Sequence, residues 1–155
     1  MKKSVKQDAA VAADGKPPRR ARLLVVEDSE SSRAAICDHL RDEHFDFEEA
    51  ENGGIGVEKF KASNFDLVLM DIRMPMMDGY EAIRRIRQWE EAHRRLRTPI
   101  IAFTASSFEE DVARALESGA DLHVAKPVKR DALAAAIRSL VRLDDDESGG
   151  AVASS

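Results

Sequence analysis

The chain has 155 residues, 43% of them hydrophobic and 34% charged, enough for one globular domain with a core of its own. A net charge of −5 excludes a protein that works chiefly through nucleic-acid phosphates, and no apolar run is long enough to span a bilayer. A lone cysteine, Cys37, excludes an internal disulfide and reads as a small core residue, and a cytoplasmic location is expected.

The two ends differ from the middle. Residues 1–21 carry six basic and two acidic side chains, with Pro17-Pro18 and many alanines. Residues 143–155 hold Asp144-Asp145-Asp146-Glu147 followed by Gly, Ala, Val and Ser. Neither has an apolar periodicity that could cover a core, so both are expected to be disordered tails flanking a folded unit at 22–142. The tails are read as the natural ends of a stand-alone protein.

Within the folded unit, apolar runs alternate with helical patterns. Leu23-Leu24-Val25-Val26 is the first strand. Serines at 29, 31 and 32 are cap candidates for a helix whose Ile36 and Leu40 lie one turn apart. Phe45 and Phe47 alternate with polar residues, as on an edge strand. Asn52-Gly53-Gly54 breaks the chain, and Val57 and Phe60 mark a short helix. Leu67 to Asp71 is the third strand. The helix after it carries Ile83, Ile86 and Leu96 and is expected to run until Thr98-Pro99 stops it. Its six arginines between 84 and 97 read as a solvated face. Ile100-Ile101-Ala102-Phe103 is the fourth strand. Ser107-Phe108-Glu109-Glu110 matches a capping box, with Phe108, Val112 and Leu116 as the apolar stripe of the next helix. Leu122 to Ala125 is the fifth strand, and Leu133, Ile137 and Leu140 make the last stripe. Met74, Met76 and Met77 read as loop packing around Pro75, and His39, His44 and His93 as surface residues.

Alternating strands and helices predict a parallel sheet covered on both faces, with all strand C-termini along one edge. Ligands bind at that edge in open α/β sheets. Here the strand ends deliver Glu27-Asp28, Asp71, Thr104 and Lys126. Three clustered carboxylates repel one another, so protons or a cation must compensate. A hard divalent ion such as Mg²⁺ takes oxygen ligands, and Glu27 and Asp28 can hold it beside Asp71. Aspartate can act as a nucleophile and form an acyl phosphate. Mg²⁺, Lys126 and the Thr104 hydroxyl can neutralise charge on a transferring phosphoryl group.

The stretches "LLVVEDS", "LVLMDIRMPMMDGYEAI", "PIIAFTA" and "GADLHVAKPV" resemble, in this order and spacing, the receiver domain of two-component response regulators. The resemblance covers residues 22–142. It implies a flavodoxin-like three-layer (βα)5 fold, with a five-stranded parallel sheet of order 2-1-3-4-5. It also implies Asp71 as phosphoacceptor, Glu27 and Asp28 as the Mg²⁺-binding pair, and the backbone carbonyl of Arg73 as a further ligand. Thr104 becomes the switch hydroxyl and Lys126 the partner of the phosphoryl group, with a cis Lys126-Pro127 peptide. His123 stands where the family usually has an aromatic switch residue. The implied donor is a phosphohistidine on a sensor histidine kinase or a histidine phosphotransfer protein, and the output is altered binding of an unidentified protein. Such a domain catalyses only its own phosphorylation and dephosphorylation. Two other readings are weaker. A phosphatase of the haloacid-dehalogenase kind usually has a second aspartate two residues after its nucleophile, where this chain has Arg73. A scaffold that is never phosphorylated leaves the full acidic and basic set without a purpose.

Overall fold

The computed structural model describes residues 20–105 and 109–141. Five strands alternate with five helices: β1 Arg22–Val26, α1 Glu30–Asp42, β2 Asp46–Ala50, α2 Gly53–Ala62, β3 Leu67–Asp71, α3 Gly79–Ala92, β4 Ile100–Thr104, α4 Glu109–Ser118, β5 Leu122–Ala125 and α5 Arg130–Leu140. All pairings are parallel and the strand order is 2-1-3-4-5. Ala21–Val141 forms one unit. The tails expected at 1–21 and 143–155 lie, but for Arg20 and Ala21, outside the described residues, as does the serine of the expected capping box.

Burial explains the apolar runs. β3 and β4 are buried at every position, because helices cover both of their faces. On one face Leu24, Val26, Val68, Met70 and Ala102 pack against Val57, Phe60, Ile83 and Ile86. The alternate residues Leu23, Val25, Leu69, Ile101 and Phe103 are equally buried. β2 is one of the two outer strands and stays half exposed; Phe45 is buried just before it begins. Side chains cap α1, α2 and α3, three of the helices that start at the ligand edge. Ser29, Asn52 and Asp78 accept hydrogen bonds from the backbone N–H groups of Ser32, Ile55 and Glu81. Burial pushes the Cys37 thiol up to about 11, so it behaves as the core residue expected and not as a nucleophile. No helix among the described residues is long and apolar enough to cross a membrane.

The structure differs from the expected pattern in two helices. α3 ends at Ala92, well before Thr98-Pro99, and Leu96 is 92% exposed in the following loop. The His93 ring stacks on Trp89, and Arg94 turns into the left-handed region at φ 53°, which ends the helical path. In α4 the buried residues are Ala115 and Ser118, whereas Leu116 is 45% exposed. Small residues face the sheet there, and the larger apolar side chain turns outward. Three acidic residues in the first turn of α4 suit the positive end of its dipole.

The α3 arginines are not all solvated. The Arg87 side chain is 14% exposed and lies between Glu90 at 2.9 Å and Asp121 at 3.0 Å. It also donates to the carbonyls of Thr98 and Gly119. Glu90 is buried and accepts from the Thr98 N–H, and Asp121 accepts from the Ile100 N–H. Gly119, at φ 122°, leaves room for the arginine; a Cβ there would meet Arg87 Cγ at 2.8 Å. This cluster ties α3 to the starts of β4 and β5. Replacing Arg87 by Met should leave the buried Glu90 without its cation, while Asp121 keeps Arg97 at 3.0 Å, and cost about 3 kcal/mol in urea denaturation. Leu96→Ser should change stability by less than about 0.5 kcal/mol, because the side chain is already in water.

Candidate functional site

The sheet carries Glu27, Asp71 and Thr104 to the ends of β1, β3 and β4, where all three are buried, with the exposed Asp28 beside them. Carboxylate oxygens of Glu27, Asp28 and Asp71 lie within 4.8 Å of one another. β5 adds Lys126, whose Nζ is 3.0 Å from Glu27 Oε1 and 3.1 Å from Asp71 Oδ1. The ends of β1, β3 and β5 therefore meet, and the register that pairs Asp71 with Phe103 and Thr104 with Ala125 puts Thr104 on the same edge. The Lys126-Pro127 peptide is cis.

Local structure sets each group. The Glu27 N–H bonds to the Ala50 carbonyl, extending the pairing of β1 with β2 by one residue. The Ser29 N–H donates to Glu27 Oε2 at 3.1 Å. The Lys126 N–H donates to the Thr104 carbonyl, which holds the chain after β5 against β4. Asp71 Oδ1 accepts a long hydrogen bond, 3.4 Å, from the Arg73 N–H, and the Arg73 side chain is exposed. After Asp71 the chain turns back so closely that a Cβ on Gly79 would lie 2.3 Å from the Asp71 carbonyl oxygen. Only glycine fits there, and the Gly79 N–H bonds to the Ile72 carbonyl at 2.8 Å. In the same loop Met74 is buried, but Met76 is 96% exposed at φ 70°, so it does not share the packing expected of it.

Asp71 Oδ2 and Thr104 Oγ1 are buried without a hydrogen-bond partner among the described residues. Glu27 Oε1 lies at ion-pair distance from Lys126 but outside hydrogen-bond geometry. Burial first, and then the charge of Glu27, push the Asp71 carboxyl from 3.8 up to about 7, with Lys126 pulling the other way. Burial lowers the Lys126 pKa, but its bonds to Glu27 and Asp71 outweigh this and raise it overall. A buried set of oxygen donors, one of them bare, with more negative than positive charge fits a hard cation such as Mg²⁺. His123 lies on β5, paired with Ala102 of β4, and its Nδ1 is buried without a partner among the described residues.

A family model described as "Response regulator receiver domain" matches residues 23–138. The chain belongs to this family. Its relatives include the sensor protein GacS of Pseudomonas syringae, 36% identical over 81% of this chain and 14% of that one. Receiver structures resemble it at similar identity. One, from the sensor histidine kinase PA1611 of Pseudomonas aeruginosa, has a magnesium ion coordinated in its active-site cleft. It is 32% identical, with a TM-score of 0.70 over 79% of this chain and 98% of that one. Another match is a chain of the co-crystal structure of the Saccharomyces cerevisiae phosphotransfer protein Ypd1 with the receiver domain of Ssk1. It is 30% identical, with a TM-score of 0.74 over 81% and 92% of the two chains. The chain spans between 9% and 53% of the length of such curated relatives.

Two residues that shape this receiver site carried no signal in the sequence. Arg33 and Glu49 lie on different elements and meet behind Glu27. Only the alternation that sets β2 beside β1 could have pointed to them.

The raised Asp71 pKa has a consequence for stability. Between about pH 4 and 7 the folded protein binds a proton at Asp71 that the unfolded chain has released. In chelator-treated buffer, thermal stability should therefore fall as the pH rises through that window and level off above it. Asp71→Asn should flatten this slope and melt higher than wild type at pH 8. An unchanged slope in differential scanning calorimetry would place the titration elsewhere.

Proposed function

We propose that this receiver domain is a cytoplasmic switch that takes a phosphoryl group from a phosphohistidine onto Asp71 and then binds a protein partner differently. The observation that carries this reading is the bare Asp71 Oδ2, held in a buried carboxylate cluster next to a lysine. The donor is a sensor histidine kinase or a histidine phosphotransfer protein. The likeness to receivers named with histidine kinases and with Ypd1 supports that choice.

Glu27, Asp28 and Asp71, with the Arg73 carbonyl, would hold Mg²⁺. Bound there, the ion would offset the Glu27–Asp71 repulsion, favour ionised Asp71 and share the charge of an incoming phosphoryl group. An Asp71 oxygen attacks phosphorus, an O–P bond forms, and the P–N bond to the donor imidazole breaks with its electron pair going to nitrogen. Lys126 already sits at Asp71 and can follow the charge onto the phosphoryl oxygens. The Thr104 hydroxyl, without a hydrogen-bond partner among the described residues, can turn and donate to them.

The output begins at that hydroxyl. Pairing of Ala102 with His123 and of Thr104 with Ala125 puts Thr104 and His123 on one face of the sheet. A Thr104 that turns toward the phosphoryl group leaves space on this face, into which His123 can move, changing the surface around β5.

Incubation with radiolabelled acetyl phosphate and Mg²⁺ tests the proposal. Wild type should accept label in a one-to-one ratio and lose it on the addition of hydroxylamine, as an acyl phosphate does. Asp71→Asn should accept none, and Asp28→Asn should require more Mg²⁺. Label retained by Asp71→Asn would refute the assignment. Continued turnover of a simple phosphate ester would favour the phosphatase reading.

A further inference from the structure

We infer that Arg33 is a positioning residue for the metal site, acting on Asp28 through the backbone of Glu27; this rests on the Mg²⁺-dependent reaction proposed above. Asp28 makes no side-chain hydrogen bond or ion pair among the described residues, and its neighbour Glu27 does the opposite. Glu27 is held at its N–H by Ala50, at Oε2 by Ser29, at Oε1 by Lys126 and at its carbonyl by Arg33. That carbonyl shares a rigid peptide plane with the nitrogen and Cα of Asp28. Fixing the carbonyl therefore fixes the direction in which Asp28 leaves the chain. The exposed ligand is aimed by its backbone.

The hold itself is specific. Arg33 Nη1 donates to the Glu27 carbonyl at 2.8 Å, and Nε donates to Glu49 Oε1 at 3.0 Å. Its side chain is 16% exposed, so the guanidinium has given up most of its water for these two acceptors. Glu49 is itself placed by β2, where it pairs with Val25, and its carbonyl accepts from Lys59 Nζ at 2.6 Å. Arg33 thus joins α1, the turn after β1 and the outer strand β2 with one planar fork. Lysine has the charge but not the fork, and cannot reach both acceptors in this geometry.

Charge and geometry predict opposite signs, which makes the inference testable. Arg33 is a cation beside an acidic cluster. If it acted only through space, removing it would strengthen Mg²⁺ binding, and Arg33→Lys would change nothing. If it positions Asp28, both Arg33→Ala and Arg33→Lys should weaken Mg²⁺, by about tenfold, as is usual for groups that orient metal ligands. The readout is Mg²⁺ titration of the full chain, followed by the amide shifts of Asp28 and Asp71 and independent of any phosphodonor. Phosphorylation by acetyl phosphate should need more Mg²⁺ in both variants yet approach the wild-type rate at saturation. Glu49→Gln, which keeps Arg33 but loosens one of its two grips, should show the same change to a smaller degree and covers the case in which Arg33→Ala does not fold. Unchanged Mg²⁺ affinity in Arg33→Lys, or tighter binding in Arg33→Ala, would overturn the role. A folded wild type that binds no Mg²⁺ would overturn the metal-dependent reading as well, so the two failures are distinguishable.

Discussion

Glu27 and Asp71 are two buried carboxylates brought to the same sheet edge, with one ammonium between them and Asp28 alongside. Left to themselves such groups would separate into water or take up protons. They stay together because each is attached to the end of a strand whose other residues are locked in the core. The apolar burial of β1 and β3 thus holds a repulsive pair in place, and the raised Asp71 pKa is the visible sign of that opposition. A proton or a cation relaxes it, which is why the site is suited to a hard divalent ion.

The remaining parts of the site follow from the need to hold that edge. Gly79 lets the chain fold back over the Asp71 carbonyl without a Cβ in the way. The Lys126 backbone is tied to Thr104, so the lysine and the hydroxyl keep a fixed relation. The bonds made by Ser29 and Arg33 define the turn that presents Asp28. The shared effect of these contacts is to remove the freedom by which the acidic groups would drift apart.

Much of this was legible in the chain because strands buried on both faces read as uninterrupted apolar runs, and a carboxylate at the end of such a run is conspicuous. Leu67 to Asp71 shows it well. The family resemblance came from four stretches in order, "LLVVEDS", "LVLMDIRMPMMDGYEAI", "PIIAFTA" and "GADLHVAKPV", and the strand order was implied by that resemblance. The end of α3 was hidden because Leu96 lies seven residues, about two helical turns, after Trp89, while the backbone has already turned at Arg94. The buried face of α4 was hidden because Ala115 and Ser118 are too small to stand out against Leu116. Arg87 looked like its solvated neighbours, since its partner Asp121 is far along the chain. Arg33 was hidden because one of its partners is a backbone carbonyl, which leaves no mark in a sequence.

The Arg87 cluster sits where β4 and β5 begin, and the acidic site where the strands end. The length of the strands lies between them, and they share no side chain. Energetic effects at separated sites without common partners add nearly independently. A lineage could therefore exchange residues around Asp71, altering how long a phosphoryl group persists or which donor is accepted, while the Arg87 cluster keeps a reserve of stability untouched by the trade. Chemical tuning and folding robustness would then be open to selection as separate traits, on opposite margins of one sheet.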